Sequence, residues 1–257
     1  MSLVGVVGDG CTTTALGIAA AWPHDDPCLV AELDPAGGCL SAWLDLPRSP
    51  GLAEVVASSA SHSWPAIEAA IQRARSGVEV LLAPTRAVEA AAVVHAATTS
   101  VLPVLAALDS PVVIADGGRL RGALSSLAVQ CGVVVIAHRQ TSGSSTAAAL
   151  GFERVAELMS LLTVRSIPTV VALIGQRPYS ADEVAEFIAA DTVVALADDP
   201  WAAAILAGRA GSAIRLRRSP LMRTFVELAA VVSARLRHAR DLEGSMSAPR
   251  RLVDDRP

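Results

Sequence analysis

Gly5-Val6-Val7-Gly8-Asp9-Gly10-Cys11-Thr12 fits the phosphate-binding template G-x-x-x-x-G-K-[ST] at every fixed position but one. The exception is the lysine, whose ammonium reaches the β- and γ-phosphates in such loops; Cys11 stands there instead. Residues 3–7 read as a β-branched strand and residues 12–22 as a helix, the context the motif needs. Glycines at 5, 8 and 10 let the chain turn sharply and bring N–H groups toward an anion. The helix start adds partial positive charge at Thr12 and Thr13. The Thr12 hydroxyl falls where such a loop holds Mg²⁺. A plain glycine-rich strand-to-helix turn capped by threonine would use the same residues.

The missing lysine is part of a wider pattern, because all 21 basic residues of the 257-residue chain are arginines. Arginine for every lysine, with abundant alanine and valine, is the mark of high-GC codon usage. It leaves Cys11 unexplained, since arginine codons were available there too. Mean hydropathy is high at +0.47, yet no apolar run reaches the roughly 18 residues that span a bilayer. No charged, apolar and cleavable leader opens the chain. These features predict a soluble cytoplasmic protein. Cys11, Cys28, Cys39 and Cys131 show no metal-ligand spacing and read as small hydrophobes. His138 lies near the run Gln140-Thr141-Ser142-Gly143-Ser144-Ser145, but no G-x-S-x-G elbow surrounds these serines, which excludes that hydrolase class.

Short β-branched runs alternate with longer alanine-rich segments of helical period, the signature of repeated βα units. Strands are expected at 3–7, 28–33, 79–83, 111–116, 132–138, 169–174 and 192–196. Helices are expected at 12–22, 64–76, 86–108, 120–130, 145–162, 181–189, 200–207 and 219–240. Several strands are apolar throughout, as strands covered on both faces must be. The expected fold is α/β: a doubly wound, mainly parallel sheet of about seven strands with helices on both faces, P-loop NTPase-like. Residues 1–240 form one domain in this reading, and the polar, proline-containing residues 241–257 form a disordered tail.

The segment Thr12-Thr13-Thr14-Ala15-Leu16-Gly17-Ile18-Ala19-Ala20-Ala21 resembles the helix that follows the deviant Walker A loop of ParA/MinD-type ATPases. That family's loop reads K-G-G-x-G-K-T-T. Gly8, Gly10, Thr12 and Thr13 match it; its two lysines fall on Val6 and Cys11, and its next glycine on Val7. Leu33-Asp34-Pro35-Ala36-Gly37-Gly38 is similar to the family's D-x-D-P-x-G-N segment, with Glu32 at the preceding acidic position. Val113-Ile114-Ala115-Asp116 resembles its Walker B strand, although Gly117-Gly118 replaces Thr-Pro. Residues 171–178 lie where the family places an asparagine against adenine, but this chain contains no asparagine. The resemblance covers roughly residues 2–240 and is that of a degenerate member of the high-GC bacterial type.

The resemblance implies ATP or ADP with Mg²⁺ as ligands, contacted at Gly8, Asp9, Gly10, Cys11, Thr12 and Thr13. It implies Thr12, Asp34 and Asp116 as the Mg²⁺ set, with Asp34 also positioning the attacking water. It further implies a homodimer, and a protein partner in an envelope, secretion or pilus, or division assembly. Physics opposes the catalytic half of this picture. Each charge-assisted phosphate contact contributes about 1.5–3 kcal/mol; two lysines are gone and Asp9 adds a repelling charge. A thiol is neutral near pH 7 or, if ionised, has the wrong sign. The expectation is a weakly binding, non-hydrolysing pseudo-ATPase that positions other proteins. The alternative is an active ATPase that dimerises on nucleotide and uses Arg119, Arg121 or Arg177 in place of lysine. From Arg209 onward 11 arginines face five acids within a chain of net charge −4. A basic amphipathic helix over 219–240 is a candidate peripheral membrane contact, or else a helix packed on the sheet. DNA binding is not expected, since no DNA motif is present.

Overall fold

Seven of the strands expected from apolar runs form, and parallel pairing aligns them so that every second residue faces the same layer. The computed structural model describes residues 2–23, 26–58, 63–119, 124–140 and 145–247. The strands are β1 (Leu3–Gly8), β2 (Cys28–Glu32), β3 (Gln72–Arg73), β4 (Glu79–Leu81), β5 (Val112–Asp116), β6 (Val133–Arg139), β7 (Thr169–Ile174) and β8 (Val193–Leu196). They form one sheet in the order β3-β4-β2-β5-β1-β6-β7-β8. All neighbours pair in parallel except β3 with β4.

The helices are α1 (Cys11–Ala20), α2 (Leu40–Trp43), α3 (Leu52–Ala57), α4 (Trp64–Glu68), α5 (Ala87–Ser100), α6 (Leu102–Ala107), α7 (Leu124–Ala128) and α8 (Ser145–Thr163). They continue with α9 (Ala181–Phe187), α10 (Pro200–Leu206), α11 (Ala213–Arg217) and α12 (Pro220–Ser247). Two cores result, one on each face of the sheet. Leu3 and Val7 of β1 join Val113, Ala115, Val134 and Ile136 under α5, α6 and α8. Val4 and Val6 join Ile114, Val135 and Ala172 under α1, α10 and α12. This period-2 division of single strands between two cores is what a sheet covered on both faces demands.

The structure corrects the expected elements in four places. The sheet has eight strands rather than seven, because the helix expected over 64–76 ends at Glu68 and Gln72–Arg73 adds an antiparallel edge to β4. Gly77, at φ 91°, turns the chain between them. The helix expected over 86–108 breaks at Val101, and α6 restarts with Pro103 in its first turn, where a missing N–H costs nothing. The segment before α12 holds the extra helix α11, capped by the Ser212 hydroxyl. The last helix runs to Ser247 instead of stopping at Arg240, and the rest of the expected tail, 248–257, lies outside the described residues.

α12 also settles which way its apolar stripe faces. Leu221, Phe225, Leu228, Ala229, Val232 and Leu236 are all buried in the core beneath α1 and the sheet. Most of the apolar stripe that a membrane contact through 219–240 would use is therefore taken up by packing, with Val226 left 55 % exposed. No described helix is long and apolar enough to cross a membrane. Phe225 lies so close to α1 that a Cβ on Gly17 would collide with its ring. Gly17→Ala should cost about 1–3 kcal/mol by overpacking, and adding Phe225→Leu should return part of that loss. Urea unfolding of the two single variants and the double variant checks this; strictly additive losses would refute the contact.

Candidate functional site

The chain leaves β1 toward β2 on one side of the sheet and leaves β5 toward β6 on the other, so the order switches where β1 and β5 lie side by side. In an open α/β sheet the crevice beyond the strand C-termini at such a point is where ligands bind. Residues 8–12 occupy it. The Gly8 N–H donates to the Gly118 carbonyl at 3.0 Å, and the Gly117 N–H to the Val6 carbonyl at 2.8 Å, so the ends of β1 and β5 are cross-tied. Gly8 has φ 107°, and a Cβ there would collide with the Ala137 carbonyl oxygen. Gly10, at φ 88°, is the left-handed residue from which α1 starts. No side chain caps that start, which leaves the first-turn amides of Cys11, Thr12 and Thr13 as donors with no helical partner.

Acidic groups converge on the loop from two strands. Asp116 ends β5 and is 1 % exposed. Its Oδ1 accepts the Gly118 N–H at 3.2 Å, while Oδ2 is buried with no hydrogen-bond partner among the described residues. Burial drives its carboxyl above the usual range, against the Thr12 hydroxyl and Cys11 thiol that face it. Asp34 presses on Gly118, where a Cβ would collide with its carboxylate, and its Oδ1 accepts the Ala36 N–H at 2.8 Å. Glu32 ends β2 beside Asp116 in the sheet register. Its carboxylate collects three backbone donors, Cys39 at 2.5 Å, Leu40 at 2.9 Å and Ala83 at 3.0 Å, and so staples the loop before α2 to the end of β4. Burial raises its pKa, and those three hydrogen bonds pull it back.

The cations do not balance these acids. Cys11 is buried, and burial together with the Asp116 charge pushes its thiol far above the ordinary range, so it contributes no charge. Cys39 is likewise pushed up to about 12 by burial and by Glu32. Arg119 does reach the loop, but its guanidinium meets the Asp9 carboxylate at 3.4 Å, with side chains 81 % and 49 % exposed. An exposed pair of this kind contributes about 0–1 kcal/mol. It cancels Asp9, so the loop is left with no net positive side-chain charge for phosphate among the described residues. Arg177 is exposed beyond β7, and Arg121 lies outside the described residues. Beside the loop, Ile174 fills the space next to Gly10, its Cδ1 lying 2.6 Å from where a Cβ would sit. Arg139 pairs with Asp198 at 2.5 Å. The space left between Gly10, Thr13, Ile174 and Asp198 is about 20 Å³, room for a single water.

The structure thus brings together Gly8, Asp9, Gly10, Cys11, Thr12, Thr13, Asp34 and Asp116. Asp116 Oδ2 is one buried acceptor oxygen that a divalent cation could take, although no three His, Cys, Asp or Glu side chains gather there among the described residues. The charges and the filled groove do not suit a triphosphate. The stapling role of Glu32, and the positions of Ile174 and the Arg139–Asp198 pair beside the loop, were not expected from sequence. Their only signal was position, at or just past the C-terminal end of an apolar run. The serines at 142 and 144 lie outside the described residues. Two of the four cysteines, Cys28 and Cys39, are half-buried rather than buried, and all four are free thiols.

No family model matches this sequence, and no curated protein matches it. Solved structures do. The ParA family ATPase of Chlorobium tepidum superposes with a TM-score of 0.68 at 16% identity, over 89% of this chain and 97% of that one. MinD from the MinC:MinD complex of Aquifex aeolicus gives 0.67 at 11% identity, over 91% and 96%. MinD of Pyrococcus horikoshii, solved with Mg-ADP, gives 0.65 at 15% identity, over 90% and 94%. At such identities the likeness is one of fold, and it extends across the whole of each partner. The chain has the ParA/MinD-like P-loop ATPase fold, an eight-stranded, mostly parallel sheet with helices on both faces.

Proposed function

We propose that this protein is a positioning or adaptor protein that keeps the ParA/MinD-like frame and has given up nucleotide hydrolysis. It would act in the cytoplasm on a protein partner in an envelope, secretion or pilus, or division assembly, as a single unit that includes the whole of α12 and forms a homodimer. The observation that carries this reading is the buried, neutral Cys11 thiol packed against Asp116 where the motif has an ammonium. Phosphoryl transfer depends on electrostatic stabilisation of the transferring oxygens. Two lost ammonium contacts, at about 1.5–3 kcal/mol each, weaken phosphate binding by roughly two to four orders of magnitude. The partner class comes from the neighbours: MinD was solved bound to MinC, and a Cyanothece McdA variant was solved bound to ATP. One observation favours a second reading, an ATPase that recruits arginine, because Arg119 already touches the loop.

ATP titration and turnover assays separate the two. Wild type should show no Mg²⁺-dependent hydrolysis above background, and the Cys11→Lys, Asp9→Gly double variant should bind ATP at least about tenfold more tightly. Hydrolysis by wild type that is lost in both Asp34→Ala and Arg119→Ala would overturn the pseudo-enzyme reading and establish the arginine one.

Asp116 supplies a second test. Its pKa is raised by folding, so the folded state holds the proton more tightly than the unfolded chain. Its contribution to stability is therefore full below the ordinary carboxylate range and is lost as pH rises through the raised value. Urea unfolding from pH 4.5 to 8 should show wild type losing stability relative to Asp116→Asn as pH rises. Millimolar Mg²⁺ should stabilise wild type and leave Asp116→Asn unchanged. An equal response in the two proteins would remove the cation from this site.

A further inference from the structure

Away from the loop, on the opposite face of the sheet from α1, the chain spends scarce side chains on one cavity. It has a single tyrosine and three phenylalanines. Tyr179, Phe152 and Phe187 line a cavity of about 220 Å³ between α8 and α9, together with Ala149, Val184 and Glu183. Phe152 forms the buried floor, with Tyr179 edge-on at 5.8 Å, Phe187 at 6.3 Å and the His138 ring behind it at 5.0 Å. Phe187 is 58 % exposed, a large apolar ring held at the mouth.

The walls are held in place by polar groups. Gln140, itself buried, donates its amide to the Tyr179 and Gly175 carbonyls at 2.8 Å each and accepts the Tyr179 N–H at 3.0 Å. Glu183 is oriented by the cap of α9: Oε2 accepts the Ser180 N–H at 2.8 Å and the Ser180 hydroxyl at 2.9 Å. Its Oε1 carries no hydrogen bond among the described residues. The surroundings are acidic, since α8 and α9 carry Glu153, Glu157, Asp182, Glu183 and Glu186 against one arginine, Arg154. Aromatic walls with a carboxylate at the rim attract cations and repel anions. The volume admits one long side chain or a small amine and is too small for a nucleotide.

We propose that this cavity binds an organic cation, a guanidinium or alkylammonium group on a short aliphatic stem. The site is separate from the loop and does not depend on the function proposed for it. Because the chain has one tyrosine, its ring resonances report on this cavity alone. N-acetyl-arginine amide should shift them saturably, and its neutral isostere N-acetyl-citrulline amide should bind at least about tenfold more weakly. Phe187→Ala and Glu183→Gln should each weaken arginine amide binding severalfold. Glutamine serves at this cap position as glutamate does, so Glu183→Gln remains informative if Phe187→Ala unfolds. Tighter binding of a pentapeptide with a central arginine would assign the cation to a protein, and equal binding would assign it to a free small molecule. Equal binding of the citrulline amide, or binding unchanged in both folded variants, would overturn the proposal.

Discussion

The closeness with which the end of β1 is pressed between β5 and β6 governs everything at the carboxyl rim of the sheet. Gly8 donates to Gly118 on one side and leaves no room for a Cβ beside Ala137 on the other. That approach fixes where the loop leaves the sheet and hence where α1 begins. It also sets Asp116, Asp34 and Thr12 around one point. A side chain at residue 8 would force β1 and β6 apart, and the first-turn amides of α1 would no longer face the crevice. Backbone geometry of this kind is independent of charge, so the frame stands without a lysine in the loop.

The charges have been rearranged around that frame. Three acids, Glu32, Asp34 and Asp116, stand at the ends of β2 and β5, and burial raises the pKa of two of them. Glu32 is occupied as a structural staple, with three backbone amides on its carboxylate. Asp116 keeps one buried oxygen without a donor, the feature that suits a cation. Arg119, which reaches the loop, spends its charge on Asp9. A buried thiol, a filled groove beside Gly10 and a cancelled guanidinium all oppose a triphosphate, and none of them disturbs the fold.

The fold was legible because its causes are local. Strands such as Val112–Asp116 and Val133–Arg139 announce themselves through apolar β-branched runs. The glycine spacing from Gly5 to Gly10 marks a tight turn into a helix. Thr12, Asp34 and Asp116 were identifiable because each stands at a strand end or helix start that those runs define. Their order along the chain matched a known pattern. The misreadings were also local in origin. The 64–76 segment has helical composition, yet Gly77 allows a hairpin that pairs Gln72–Arg73 with β4, and sheet pairing outweighs propensity there.

Sequence by itself determined the alternation of strands and helices, the glycine-bearing loop and the absence of its lysine, because these depend on neighbours within a few residues. Only the tertiary structure decided what each charge does. Arg119 meets Asp9 across 110 residues of chain, Arg139 meets Asp198 across 59, and Gln140 holds Tyr179 across 39. The apolar stripe of α12 had two possible destinations, and packing against Gly17 and the sheet chose the core. Such pairings depend on which strand ends the sheet order brings together, and that order follows from the whole set of connections rather than from any one segment.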